Sequence, residues 1–559
     1  MHTTKRTKYV FVSGGVISGI GKGTTAASIA LLLKSQGYKV APIKFEGYLN
    51  IDAGTINPIE HGDPFLCEDG TEADMDLGSY EKFLNENMGR NNFVTMGQVY
   101  QRIIERERTF EYKGEDVEAV HISNEIIGRI KNVAKERGAD IVVIELGGTA
   151  GEYWNVFFYE ASRILSLKNP GDVIHVHVSY LPTPHHLGEP KTKPTQLSVR
   201  TLNSLGIQPD FIIARSEKYL DQRRRDRFAL FCNMLPSDII SNPDMDFIYE
   251  VPLVLHDQKL DKKILHKLGL RSRSSNLDAW KRFVENAKGN PPNGGRKQIE
   301  IAIVGKYFGT GDYQLRDSYA ALFDAIDHAA WRLNAEVKTR WADAEKAEKV
   351  GIEKLIGTPA GIVVPIGWGI RGAEGMIKAA SYARKNKIPY LGLCYGMQLA
   401  TVAYARDVLG WQDANTTEND LKTKHPVISL IEKQKELMKK RTYGGTMRLG
   451  AWKAIVKKDT RAYDLYDKYN EFIDKNKSLT SERHRHRFEF NNKFAKDFEK
   501  KGFVISARSV DENLVEIIEL PKDQHPFYLG TQGHPEYKSS PLKPHPIFMG
   551  FVEACLKGV

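Results

Sequence analysis

The chain has 559 residues, 41% of them hydrophobic and 27% charged, with a formal net charge of +10. That length exceeds one ordinary core and predicts two to four domains of globular composition. No apolar run approaches the ~20 residues of a membrane helix. The start has no signal-peptide core. Four scattered cysteines (Cys67, Cys232, Cys394, Cys555) with no CxxC pair argue against a disulfide framework or zinc ribbon.

A reduced, cytoplasmic setting is therefore expected. The positive charge concentrates in "QRRRDR" (Gln222 to Arg227) and "RHRHR" (Arg483 to Arg487). No aromatic stacking motif accompanies either run, so solvated surface and pockets for small polyanions are expected, with no nucleic acid and no membrane as partner.

In chain order, Tyr9–Val12, Val40–Phe45, Ile141–Leu146, Val173–Val178 and Phe211–Ala214 read as strands. They are apolar on both faces, which predicts buried parallel strands with helices between them. Thr24 to Gln36 reads as the first helix, stopped by Gly37. "AKGNPPNGGRK" (Ala287 to Lys297) has linker composition. Beyond it a strand in "IEIAIVGKY" is followed by Val337–Trp341, Gly361–Val364, Tyr390–Leu393, Val504–Ala507 and Val515–Leu520. "EKQKELMKK" (Glu432 to Lys440) reads as a solvated charged helix or loop. The expected fold class is α/β, in two domains at residues 1–286 and 298–559 joined by a linker at 287–297. Each is a mostly parallel sheet flanked by helices.

Two stretches carry chemistry. "YVFVSGGVISGIGKGTTAAS" (Tyr9 to Ser28) runs strand, glycines, Lys22, helix, the context in which backbone N–H groups bind phosphate. It breaks the usual pattern, because Val16 stands for the first Gly and Gly23 follows Lys22. Lys22 supplies charge for phosphates, and Thr24 or Thr25 could reach a metal ion. Downstream, Glu68, Asp69, Glu72, Asp74 and Asp76 crowd one acidic stretch, and Glu145 ends a buried strand where α/β proteins bind ligands. Mg²⁺ needs only one or two carboxylates beside phosphate and water, and Asp69 with Glu145 is the expected pair. Lys191, Lys193 and Gln196 on a proline-stiffened loop suit a second polyanion.

The second stretch is "IPYLGLCYGMQLA". Gly392, Cys394 and Gly396 form a G-x-nucleophile-x-G elbow, which exposes a nucleophile at a helix N-terminus. "TQGHPEYKSSP" supplies His534 as base and Glu536 to orient it. These three residues form the expected triad.

"GLCYGMQ" with "HPE" resembles the class I, triad-type glutamine amidotransferases. The whole chain, from about residue 8 to residue 555, resembles the CTP synthase family. "SGGVISGIGKG", "EDGTEADMDLGSYEKF", "GEPKTKPTQLSV", "GGTMRLGA" and "ERHRHRFEFNN" carry that resemblance most specifically. It implies a P-loop, dethiobiotin-synthetase-like first domain and a class I amidotransferase second domain. It also implies ATP-dependent amination of UTP to CTP with ammonia from glutamine, through a 4-phosphorylated UTP. By the same resemblance Ser18, Gly19, Ile20, Gly21, Lys22, Gly23, Thr24, Lys44 and Asp69 bind ATP. Asp69 and Glu145 hold Mg²⁺. Ser18, Glu152, Lys191, Lys193, Gln196 and Arg227 contact UTP or CTP. Gly367, Tyr395, Gln398, Glu418 and Arg485 or Arg487 bind glutamine, and the backbone N–H groups of Gly367 and Tyr395 serve the oxyanion. GTP is implied as allosteric activator, with the Gly444 to Ala451 stretch in the lid. Homotetramers, and often filaments, are implied as assemblies.

Several positions depart from the family pattern. Ile366 replaces a Gly beside the oxyanion hole, and would be strained if φ there is positive. Trp154 stands where the family has a Glu tied to CTP recognition. Arg227 replaces a Lys, and Glu46 and Gly47 replace Asp and Pro. Pro64 replaces a Val near His61 and the ammonia passage. Taken together they leave an alternative, a catalytically altered member acting mainly in assembly. Cobyrinic-acid and dethiobiotin-type synthetases share the ATP-binding architecture, but "KTKPTQ" and "ERHRHR" argue against them.

Overall fold

The computed structural model describes residues 6–57, 62–186, 188–289, 295–310, 313–314, 316–430, 434 and 446–558. His61, most of Glu432 to Lys440, and Gly444 with its neighbour Gly445 lie outside the described residues. The chain divides into two compact units, Met1–Asp52 with Asp76–Val284, and Ala53–Met75 with Glu285–Val559.

The first unit is built on a seven-stranded, all-parallel sheet. Its strands lie in the order Phe93–Thr95, Val40–Glu46, Ile141–Leu146, Lys8–Gly15, Val173–Tyr180, Phe211–Ser216, Ile239–Pro243. The continuous apolar runs exist because helices cover the sheet. Phe11, Ile43, Phe45, Val142 and Ile144 pack with Ile126, Ile130 and Phe158 from the helices. The Lys8–Gly15 strand sits centrally, and its C-terminal end delivers the glycine loop to the helix Lys22–Ser35. Gly37 (φ 79°) ends that helix, and its N–H bonds to the Lys34 carbonyl at 2.8 Å.

The second unit carries a nine-stranded sheet. Ala335–Asp343, Lys297–Gly305, Gly361–Val364, Tyr390–Leu393 and Tyr528–Thr531 run parallel. Val515–Glu519, Val504–Ser509, Arg448–Val456 and Leu479–His486 then continue it antiparallel. Strand alternation sends successive side chains to opposite faces. Ile362 and Val364 pack toward Met376, Leu399 and Val402, whereas Val363 packs toward Phe323, Phe548 and Phe551.

The segment 53–75 departs from the sequence expectation, which kept it in the first domain. It forms the strand pair Phe65–Leu66 and Glu72–Ala73 and packs within the second unit. The cause is charge. Buried Arg485 reaches Glu72 at 2.6 Å and Asp63 at 3.2 Å. Arg483, also buried, donates to the Leu66 carbonyl at 2.8 Å. The "RHRHR" run is therefore buried from Arg483 to His486, with Arg487 half-buried. Tyr537, next after Glu536, donates from its hydroxyl to Asp63 at 2.8 Å.

Candidate active sites

In the first unit the phosphate loop is shaped by close approaches. A Cβ on Gly14 would stand 2.5 Å from the Lys22 side chain, and one on Gly15 would stand 1.6 Å from the Ser198 hydroxyl. Gly23, the departure from the usual pattern, has Asp76 Oδ1 2.0 Å from where a Cβ would be. A side chain there would displace the Asp76 carboxylate from the helix start. Val16, at φ 81°, holds a conformation that a β-branched residue adopts at a cost of about 1–3 kcal/mol. Strain of that kind gathers at ligand loops. Gly19 and Gly21 also have positive φ. Ile20 is buried, so only its backbone can serve a ligand, while Ser18 is exposed. Thr25 bonds back to the Gly21 carbonyl at 2.8 Å, which leaves Thr24 as the loop's hydroxyl at the helix start.

Behind the loop lies a buried charge cluster. The Lys44 ammonium meets Asp76 at 2.5 Å, Glu145 at 2.7 Å and Glu46 at 3.0 Å. Tyr80 donates to the other oxygen of Glu145. Burial, followed by the neighbouring Lys44, pulls Lys22 below the ordinary lysine range. Burial alone would raise Asp76, but attraction to Lys44 carries it below the usual carboxylate range. Burial pushes Glu145 up. Two ammonium groups thus face three carboxylates, and the carboxylate oxygens of Asp76 and Glu145 are hard donors that fit Mg²⁺. Asp69, the expected partner of Glu145, belongs to the second unit and accepts from the Thr71 N–H at 3.1 Å. Within the first unit it is Asp76 that shares Lys44 with Glu145. The acidic run held five candidates, and sequence spacing could not choose among them.

Lys191, Lys193 and Arg227 line a cavity of about 430 Å³ together with Arg223 and Arg224. Glu189 is the single carboxylate there, and pairs with Lys191 at 2.6 Å and Arg224 at 3.0 Å. Such a surplus of cations suits a polyanion. Gln196 is buried and bonds to Thr192 at 3.1 Å. Glu152 and Ser18 do not line this cavity. Glu152 instead accepts from the Thr149 N–H at 2.8 Å and the Thr149 hydroxyl at 2.7 Å. Trp154 is 59% exposed.

His177 was missed in the sequence. Its Nδ1 lies 3.0 Å from the Ser13 hydroxyl and its Nε2 lies 2.8 Å from that of Ser198. Burial, with Lys22 adding, holds its pKa down at about 3, so the ring is neutral. It ties the phosphate-loop strand to the Lys193–Ser204 helix. Two histidines alternating with apolar residues in one strand gave no signal of this role.

In the second unit, Cys394 follows the Tyr390–Leu393 strand and caps the Tyr395–Tyr404 helix at φ 51°. A Cβ on Gly396 would stand 2.0 Å from the Val364 carbonyl oxygen, and one on Gly392 would stand 2.7 Å from the Gly396 backbone. Both glycines are therefore required by the elbow. His534 Nδ1 lies 2.7 Å from Glu536 Oε1, and the imidazole is fully buried. Burial opposes a charged ring, but Glu536 and then Cys394 outweigh it and raise the His534 pKa to about 10. His534 thus stands between Glu536 and Cys394.

The loop opposite is pinned by Lys306. Its ammonium donates to the carbonyls of Trp368 (2.5 Å), Gly369 (2.8 Å) and Arg371 (3.0 Å), and lies 4.6 Å from the Tyr395 ring centroid. Burial pulls Lys306 down to about 8. Gly367 is packed between Lys306 and Tyr395. Ile366 keeps a negative φ and is buried in the core, so the strain considered for it is absent. Glu418 accepts from the Gly369 N–H at 2.8 Å, and burial raises its pKa against the pull of Lys306 and Arg487. Of the two candidate arginines, Arg487 acts on Glu418, whereas Arg485 is held by Asp63 and Glu72. Gln398 donates to the Phe488 carbonyl at 2.9 Å and to Gln532 at 3.2 Å. Arg448, from "GGTMRLGA", is buried against Glu489 (3.1 Å) and Glu516 (2.6 Å).

Comparison with known proteins covers both units. Residues 8–270 match the family model described as CTP synthase N-terminus, and residues 314–554 match glutamine amidotransferase class-I. The chain is 46% identical over 551 residues to a CTP synthase of Caldanaerobacter subterraneus, with 98% of each chain covered. It is 46% identical over 549 residues to a CTP synthase of Sulfolobus acidocaldarius, covering 98% of this chain and 99% of that one. Against a CTP synthase of Clostridium acetobutylicum it is 43% identical over 553 residues, covering 98% and 99%.

Proposed function

The chain belongs to the CTP synthase family, and from that premise we propose that it converts UTP, ATP, glutamine and water to CTP, ADP, phosphate and glutamate. The observation that carries this reading is the Cys394–His534–Glu536 arrangement in a chain whose other unit holds a phosphate loop and a cation-rich cavity.

The Cys394 sulfur attacks the side-chain amide carbon of glutamine. Backbone N–H groups of Gly367 and Tyr395 hold the oxyanion. His534, oriented by Glu536, delivers a proton to the departing nitrogen, so ammonia leaves and a glutamyl thioester remains. Water, deprotonated by His534, then attacks the thioester carbon. The C–S bond breaks and glutamate is released. Glu418 and Arg487 offer opposite charges for the amino and carboxylate groups of glutamine, with Tyr395 and Gln398 beside them.

In the first unit Lys22, Lys44 and the N–H groups of residues 18–24 bind the ATP phosphates. Lys191, Lys193, Gln196 and Arg227 bind the UTP triphosphate. Phosphorylation of the uracil O4 makes a leaving group, and ammonia displaces it at C4. Asp76 and Glu145 carry the oxygens to hold Mg²⁺, which when bound offsets phosphate charge. Activation by GTP and assembly into homotetramers follow from the same family reading. The alternative of an assembly protein loses one of its grounds, because Ile366 is unstrained.

The test is absorbance-monitored conversion of UTP to CTP with ATP and Mg²⁺, run with glutamine plus GTP and in parallel with ammonium chloride. Turnover with both donors is expected. Inactivity with both would overturn the reading.

A further inference from the structure

We infer that Gln532 is a further residue of the thiol site, its side-chain amide donating a hydrogen bond that stabilises the sulfur of Cys394 whenever that sulfur carries negative charge. This deepens the glutaminase reading above and rests on it.

The position follows from strand register. Leu393 pairs with Thr531 across two parallel strands, and the Cys394 N–H bonds to the Thr531 carbonyl at 2.7 Å. Cys394 and Gln532 are the residues that follow these two strands. Gln532 is wholly buried, and its backbone N–H is fixed to the Glu516 carbonyl at 2.8 Å. Its amide nitrogen lies 3.5 Å from the Cys394 sulfur.

The orientation of that amide is determined by its neighbours. The Phe488 carbonyl can only accept, so the Gln398 atom 2.9 Å from it must be the NH₂ group. The same nitrogen lies 3.2 Å from Gln532, so the Gln532 atom facing it must be the carbonyl oxygen. The NH₂ group of Gln532 is then left facing the sulfur. One backbone carbonyl thus sets two amides in series.

The contact discriminates between states of the reaction. A thiol sulfur is a weak acceptor, whereas a thiolate makes a charge-assisted bond. Sulfur is anionic when it attacks the glutamine amide, and again when the C–S bond breaks and the electron pair returns to it. Between those moments, as a thioester, it is nearly neutral. An N–H at this position therefore favours the charged states over the thioester, which is a rate effect rather than uniform binding. Besides Gln532, the groups acting at Cys394 are the imidazole of His534, backed by Glu536, and the N-terminus of the Tyr395–Tyr404 helix. His534 carries the proton that the thiol gives up.

The experiment uses the full-length chain and follows alkylation of Cys394 by iodoacetamide as a function of pH, read by mass spectrometry of the Cys394 peptide. Gln532→Met keeps length and removes the donor. Its alkylation inflection should move up by about one pH unit, with kcat for glutamine hydrolysis down about tenfold and KM within about twofold. Gln532→Glu is isosteric, sets a negative charge beside the sulfur, and should move the inflection further in the same direction. It decides the matter if the Met variant does not melt cooperatively. A wild-type inflection and kcat in the folded variants would overturn the inference. If the wild-type Cys394 is neither alkylated selectively nor trapped as a thioester with glutamine, the nucleophile reading itself falls and takes the inference with it.

Discussion

The two sites are built on opposite plans. The phosphate site of the first unit is a surplus of charge: Lys44 sits among three carboxylates, burial and the neighbouring Lys44 pull Lys22 below the ordinary lysine range, and the 430 Å³ cavity has five basic residues against Glu189. The thiol site of the second unit is fixed by backbone geometry. Its nucleophile has positive φ, its elbow glycines touch backbone, and its base already holds its orienting carboxylate at 2.7 Å. A site for polyanions can be left electrostatically unbalanced, because its ligands bring the compensating charge. A site for a neutral amide has to be complete before the ligand arrives, since glutamine's reacting end supplies no charge to organise it.

The sharpest way to break this comparison is to remove the nucleophile. Cys394→Ala should cut glutamine-dependent CTP formation by on the order of 10³-fold, with ammonia-dependent formation within about twofold of wild type. Loss of both activities in a folded variant would mean the sites are not separate. Lys22→Ala should lower turnover with either donor by about 10²-fold, because both need activated UTP. Appreciable ammonia-dependent synthesis would remove Lys22 from the phosphate site. Gly23→Ala pushes a methyl group against Asp76 and should cost about tenfold with both donors. An unchanged rate would show that Asp76 is free to move, and that its place beside Lys44 is unimportant.

A smaller effect comes from pH. The folded His534 pKa, about 10, lies above the ordinary 6.5. Its contribution to stability is therefore full below about pH 6.5 and is lost as pH rises through 10. Between pH 7 and 10 the unfolding free energy of the wild type should fall by on the order of 1–3 kcal/mol more than that of His534→Gln, measured by denaturant titration. Parallel curves would place the ring in its neutral form throughout. The smallest change in activity is expected at Ile366. Ile366→Gly should leave glutamine hydrolysis within about twofold while costing about 3 kcal/mol of stability, from lost burial and added backbone freedom. A faster glutaminase would restore the idea that this residue strains the oxyanion loop.

Much of the fold was legible because its signals are local. Strand–glycine–helix junctions at Gly14–Lys22 and Gly392–Tyr395 announce themselves by composition, and so do the double-sided apolar runs of the parallel strands. "HPE" put a histidine and its carboxylate partner within three residues. The antiparallel strands Arg448–Val456 and Leu479–His486 were not read, because "RLGAWKAIV" and "LTSERHRH" bury arginines and histidines that a hydrophobicity pattern counts as surface. The place of Asp76 beside Lys44 was not read, because five carboxylates in one short run offer no spacing that singles it out. Gln532 and His177 are chosen by tertiary neighbours alone.

The insertion of residues 53–75 into the second unit also bears on how the protein can be cut. A fragment beginning at the linker would keep Arg485 and Arg483 but lose Asp63, Glu72 and the Leu66 carbonyl, leaving two buried guanidinium groups without those acceptors. Proteolysis within residues 285–297 would likewise leave the second unit in two covalent pieces, one of them still continuous with the phosphate-loop unit. Fragment complementation, with residues 53–75 supplied in trans to a chain beginning at the linker, would measure how much the second unit depends on those acceptors.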